Sequence, residues 1–203
     1  MLEVIAPADS FDLITLADIK AELGITGTTE DANLARWITA ASDSVARYCR
    51  RVFAAQTYRE TFRVAAKPDL VLTRYPVGDV VSVVENETTL AADETEIETD
   101  SGVLRRLIND RLAWWACGKI VVTYRAGFAD VTDTPSLPAP IERATIMLVS
   151  LFRQRAQRDP AVRQVTHGDT AVTYGLGQLG ADADALPAEV TALLASYRDF
   201  RLR

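Results

Sequence analysis

The sequence is poor in the residues that most often carry chemistry. Its 203 residues include one histidine, two cysteines, two methionines and three lysines. Two cysteines, Cys49 and Cys117, cannot make a disulfide framework or a four-cysteine metal site. They lack the C-x-x-C spacing of a redox pair, and no histidine lies near either in sequence to activate it. The lone His167 would have only carboxylates to help it hold a metal, and beside Gly168 and Asp169 it reads as a turn residue. There is no Walker loop, no G-x-S-x-G and no H-E-x-x-H. No apolar run approaches the roughly 18 residues of a membrane span. The opening segment, Met1 to Pro7, lacks the basic start and long apolar stretch of a signal peptide. These absences predict a chain with no catalytic residues, no metal and no other cofactor, made in a reducing cytoplasm.

What is present is the balance of an ordinary globule, 48% apolar and 25% charged, which suffices for a sizeable core. The net charge of −6 argues against broad affinity for nucleic acid or anionic membrane. Of the 22 cationic residues only three are lysine. That skew fits a GC-rich genome, and equally the use of guanidinium forks at protein interfaces. The arginines fall in groups: Arg50-Arg51, Arg105-Arg106 and Arg153/Arg155/Arg158. The last suits the negative end of a helix, and none is interleaved with aromatics as in a nucleic-acid surface.

Periodicity divides the chain. The first 55 residues read as helical. Thr15 with Asp18 has capping-box spacing, Leu16, Ile19 and Leu23 make a stripe, and Gly24 stops it, predicting a helix over 15–24. Leu34, Trp37, Ile38, Ala41, Val45, Tyr48 and Val52 recur at helical spacing and predict a second helix over 30–53. Its other face carries Arg36, Asp43, Arg47, Arg50 and Arg51. The period then falls to two at Tyr58, Phe62 and Val64. Short β-rich runs follow at 70–73, 80–84, 95–98 and 120–124, separated by Pro-, Gly- and Asp-bearing turns. They predict an antiparallel β insertion over 57–125. Pro140 opens a third helix, 140–158, with Ile141, Ala144, Thr145, Leu148, Leu151 and Phe152 inward. A hairpin turning at His167-Gly168 follows, then a Gly/Ala-rich flexible connector over 175–186 and a terminal helix over 187–203. The fold class is therefore α+β: an N-terminal helical pair, a small antiparallel β insertion, a long third helix and a C-terminal helical arm on a flexible connector. Residues 1–174 would form the core domain.

Three motifs look chemical and read otherwise. Gly175–Gly180 spells G-x-G-x-x-G, yet it opens no helix within a βαβ unit, and only 23 residues follow it. The acid run Asp93–Asp100 lacks the Gly and Asx pattern of a calcium loop and reads as a charge-protected strand edge. Asn86-Glu87-Thr88 matches a glycosylation sequon without a secretory context.

The order of segments resembles the head–tail connector proteins, also called adaptor or head-completion proteins, of long-tailed phages and related gene transfer agents. The resemblance runs from Ile14–Gly24 and Asp31–Val52, through Tyr75-Pro76-Val77 and Val80–Val83, to Val121–Phe128 and Leu137–Ile141 with the helix ending in Arg153–Arg158. It closes with Pro187–Arg198. It implies a non-enzymatic virion protein in a ring of about twelve copies, set at the neck between a portal protein and a downstream stopper or terminator protein. DNA would pass through the lumen without specific recognition. In the family the C-terminal arm engages the portal, a role that would fall here on Val190, Leu193, Leu194, Tyr197, Arg198 and Phe200. Arg47, Arg50 and Arg51 are the expected subunit-interface arginines, facing the acidic β region of a neighbouring copy. The alternative is another neck or tail-completion protein that contacts tail rather than portal.

Overall fold

A computed structural model describes residues 1–128, 136–157, 164–167, 170–173 and 186–199. In chain order the elements are β1 (Leu2–Ala6), α1 (Leu16–Leu23), α2 (Asp31–Cys49), β2 (Gln56–Val64), β3 (Asp69–Val71), β4 (Val77–Glu85), β5 (Thr88–Thr89), β6 (Thr95–Glu98), β7 (Val103–Ile108), β8 (Arg111–Ala113), β9 (Gly118–Ala126), α3 (Ala139–Ala156), β10 (Gln164–His167), β11 (Thr170–Thr173) and α4 (Ala188–Leu194). The mixed α+β class is as expected. Contacts divide the chain into a β unit, Met1–Ser10 with Val52–Leu137, and a helical unit, Phe11–Arg51 with Pro138–Arg203.

The β unit holds two antiparallel sheets, ordered β1-β2-β9-β4-β5 and β3-β7-β6, with β8 also paired to β7. Period-two alternation turns Tyr58, Val83, Ile120, Val122 and Tyr124 of the first sheet inward, against Leu70 and Leu104 of the second. Leu72, Val77, Trp115 and Ala126 belong to the same core. The buried Trp115 indole donates to the Leu104 carbonyl at 3.3 Å, so its one polar atom is satisfied. Two hairpins turn on residue pairs with positive φ, Asn86-Glu87 (46° and 73°) and Asn109-Asp110 (51° and 61°). These are the backbone angles of tight hairpin turns matched to strand twist. The sequon is thus a turn. The Asn86 side chain accepts from the Lys119 N–H at 2.9 Å and donates to the Cys117 carbonyl at 3.2 Å. A Cβ at Gly118 (φ +141°) would lie 2.0 Å from the Asn86 Oδ1, which is why glycine stands there.

The N-terminus corrects the helical reading of the first 55 residues. Leu2–Ala6 is a strand, antiparallel to β2, with Leu2 opposite Glu60 and Val4 opposite Tyr58. Its partner lies more than fifty residues away, so no local period announces it.

In the helical unit α1 is capped as expected. Thr15 Oγ1 accepts from the Asp18 N–H, the Asp18 carboxylate accepts from the Thr15 N–H, and Gly24 is left-handed at φ 65°. The second helix ends at Cys49, not at residue 53, because Arg50 turns left-handed (φ 55°) and its N–H closes on α2 carbonyls. Val52 therefore belongs to the β unit rather than to the helical stripe. In α3, Pro140 sits in the first turn, and Ile141, Ala144, Thr145, Leu148 and Val149 are buried; Leu151 and Phe152 are half-buried. Arg158 lies outside the described residues. The expected hairpin is present, with His167 opposite Thr170 at the inner end of β10–β11. Of the connector over 175–186, all but Leu186 lies outside the described residues, as do its G-x-G-x-x-G glycines. No helix among the described residues is long and apolar enough to cross a membrane.

Candidate partner-binding surfaces

The terminal helix α4 is amphipathic, and its apolar stripe meets its own unit. Val190 (1% exposed) and Leu194 (0%) are buried, and α4 packs on α3. Leu193, Tyr197 and Arg198 are half-buried. Beyond the helix the chain is tied to the end of α2. The Asp199 N–H donates to the Cys49 carbonyl at 2.8 Å, and the Arg198 guanidinium stands 5.2 Å from the centre of the Tyr48 ring. Cys49 is buried, which pushes its thiol up to about 11 and makes it a small core residue rather than a nucleophile. Of the six residues in the expected docking set, Val190 and Leu194 thus serve internal packing, while Phe200 lies outside the described residues.

The three expected interface arginines sit at the C-terminal end of α2. Arg47 is exposed and paired with Asp43 one turn earlier, at 2.5 Å. Arg50 is exposed at the helix stop, and Arg51 is half-buried. Three other ion pairs of this unit join its elements. Lys20 reaches Asp31 at 2.8 Å, Arg143 reaches Glu22, and Arg153 grips Glu30 with two hydrogen bonds of 2.7 and 2.9 Å. The hydrogen bond from Arg153 holds the Glu30 carboxyl below its ordinary range.

Among the described residues two charged groups, Glu60 and Arg106, are buried inside the β unit, and both are fully occupied. Glu60 accepts from the Thr73 N–H and the Tyr124 hydroxyl, each at 2.9 Å, and from the Thr73 hydroxyl. Burial, with the Glu60 charge, pushes the Tyr124 hydroxyl far above its usual range, so it stays a neutral donor. Arg106, 8% exposed, pairs with Glu85 at 3.3 Å and Glu94 at 3.2 Å and donates to the Glu94 carbonyl. A carboxylate with three donors and a guanidinium with two acids are structural networks. Among the described residues no group of three His, Cys, Asp or Glu could hold a metal ion.

The outer faces of the two sheets differ in sign. On the first, register sets Arg125 opposite Thr57, Thr123 opposite Arg59 and Lys119 opposite Arg63, all four cations exposed. None of the four forms an ion pair among the described residues. On the second, Arg105 stands among Asp69 (3.5 Å), Glu98 (3.5 Å) and Glu96 (4.0 Å). Leu112 (70% exposed) and Trp114 (66%) lie nearby on the β7–β8 hairpin and the residue after it. Sequence reasoning passed over Arg59, Arg63, Lys119 and Arg125. Their alternation within β2 and β9 was visible, but their convergence depends on pairing strands about sixty residues apart.

Comparison with known proteins bears on these surfaces. No curated protein matches the chain. Its fold is similar to a chain from the neck of an empty gene transfer agent particle computed with C6 symmetry, with a TM-score of 0.59 and 18% identity. It is similar also to a chain from the neck of a native particle computed with C12 symmetry (0.58, 19%), and to one from the native particle's virion (0.56, 20%). Each match covers 100% of this chain and 97% of the other. The family described as head completion protein matches residues 12–200. With a family match that spans nearly its whole length, the chain belongs to the head completion protein family.

Proposed function

We propose that this chain is the adaptor of the neck: copies form a ring between portal and tail, extend the DNA channel and provide the platform on which the tail attaches. The observation that carries this reading is the family match over 12–200, joined by a fold shared end to end with chains of gene transfer agent necks. Those necks were computed with sixfold and twelvefold symmetry, which fits a ring of about twelve copies. An acidic chain suits a conduit, since a strongly basic lumen would hold DNA by counterion release and slow its passage.

Residues 187–203 are the portal-docking segment in this reading, carried by the connector over 175–186. Because Val190 and Leu194 anchor α4 to its own unit, docking runs through Leu193, Tyr197, Arg198 and Phe200, with the buried pair fixing their presentation. Arg47, Arg50 and Arg51 lie at a ring contact of the helical unit. A neck protein that meets tail rather than portal is the second reading.

The test is isolation of the tagged chain from particle-producing cells, with electron-microscope class averages of what accompanies it. Rings stacked on a portal are expected. Recovery with tail proteins alone moves the chain down the neck and removes the adaptor reading. An L193A/Y197A/R198A variant that still brings down portal removes the docking role of α4.

A further inference from the structure

The two outer faces of the β unit carry more charge than the unit itself uses. Across the first sheet, Arg59, Arg63, Lys119 and Arg125 share a face with the acids Glu3, opposite Arg59, and Asp79, opposite Arg125. Neither acid reaches ion-pair distance, and the face keeps an excess of positive charge. Arg63 stands directly across from Lys119, an arrangement that destabilises an isolated sheet. The opposite outer face has the reverse imbalance, with three carboxylates sharing one guanidinium at Arg105. Beside them, Leu112 and Trp114 are exposed on the side of the β7–β8 hairpin that carries Leu107, since Leu107 pairs with Leu112 and the inward Trp115 alternates with Trp114.

We propose that these faces are the two halves of one contact: the cationic sheet of one copy docks on the acidic sheet of the next, with Arg59, Arg63, Lys119 and Arg125 meeting Asp69, Glu96 and Glu98, and with Leu112 and Trp114 sealing the edge. The proposal rests on the ring reading above and names the surfaces through which its β units meet. Opposite-signed patches on opposite sides of a two-sheet sandwich make a heterologous, head-to-tail contact, the kind that closes into rings. Arginine and tryptophan are the residues that interface centres favour, and burying Trp114 removes an exposed apolar surface that the monomer has no use for. Arg47 of α2 is a weaker claimant for the acid face, because Asp43 already holds it. A DNA backbone would engage the cation row alone, and would leave the acids, Leu112 and Trp114 without a role.

Charge reversal on each face tests this in the full chain. Wild type, R59E/R63E and E96K/E98K are followed by sedimentation velocity up to about 1 mM protein, in about 50 mM and about 300 mM salt. Wild type is expected to associate, more at low salt, and each variant to associate at least about tenfold more weakly. An equimolar mixture of the variants is expected to regain wild-type association. The reversed sheet of each then faces the reversed sheet of the other, so copies alternate, and the rescue itself shows that both variants fold. A variant that assembles like wild type, a mixture that stays dissociated, or a wild type monomeric throughout overturns the proposal. Wild-type rings indifferent to both reversals would keep the ring reading and remove only this interface. A duplex oligonucleotide bound by wild type and released by R59E/R63E, with self-association intact, assigns the row to DNA and overturns it too.

Discussion

The helical unit and the β unit handle charge in opposite ways. In the helical unit three of the ion pairs join elements, Lys20 of α1 to Asp31 of α2, Arg143 of α3 to Glu22 of α1, and Arg153 of α3 to Glu30, while Arg47 pairs with Asp43 within α2. In the β unit the internal charges, Glu60 and Arg106, are buried in satisfied networks, and four cations on the outer face remain unpaired among the described residues. Charge that a unit consumes internally tells about its stability. Charge that it leaves over tells about its neighbours, and among the described residues the cation row of the β unit is such a surplus.

The comparison can be broken at its strongest point first. W115A removes the largest side chain of the β core and its hydrogen bond to Leu104, and is expected to cost about 4 kcal/mol. Chemical denaturation read by near-ultraviolet signal checks it; a loss under about 1 kcal/mol would show that the sheets do not share one core. L194A is next, at about 3 kcal/mol, because Leu194 is fully buried where α4 packs on α3. An unchanged denaturation midpoint would mean that α4 is not held by its own unit, which would return Val190 and Leu194 to the docking surface.

The smallest effect sharpens the contrast in charge handling. Arg153 lowers the Glu30 carboxyl below its ordinary value, so the pair stabilises the folded state above the ordinary carboxylate range and loses that contribution as pH falls through the lowered value. E30Q should be slightly less stable than wild type at neutral pH and should lose less on acidification. Melting temperatures between about pH 7 and about pH 3 would check it. Parallel curves would show that the pair contributes nothing to stability.

Much of the helical unit was legible because its signals are local. Thr15, Asp18 and Gly24 announce α1 within eleven residues, and the stripe from Leu34 to Cys49 contains its own period. Even there the stop at Arg50 was missed, because a left-handed arginine has no mark in a sequence that continues with apolar Val52. The β unit was half legible. The runs that became β2, β3, β4, β6 and β9 showed themselves, while β1, β7 and β8 did not. Asn109-Asp110 was an available turn signal between β7 and β8, since asparagine and aspartate accept positive φ. The amphipathic stripe of α4 was legible too, but periodicity records that a face is covered and not by what. Val190 and Leu194 are covered by their own unit. The cation row was the least legible feature of all, since it exists only once β2 and β9 are in register.

That same wide pairing has a consequence for synthesis. β1 leaves the ribosome first, yet Leu2 cannot pair until Glu60 has followed, roughly 3–12 s later at ordinary elongation rates. The resulting hairpin is then only an edge, because β2 needs β9 on its other side, and Ala126 must emerge before Gln56 finds its partner. The helical unit waits longer, since α1 and α2 contact α3, whose last residue is Ala156. Early translation therefore leaves the apolar strands of the first sheet without their partners until β9 has emerged.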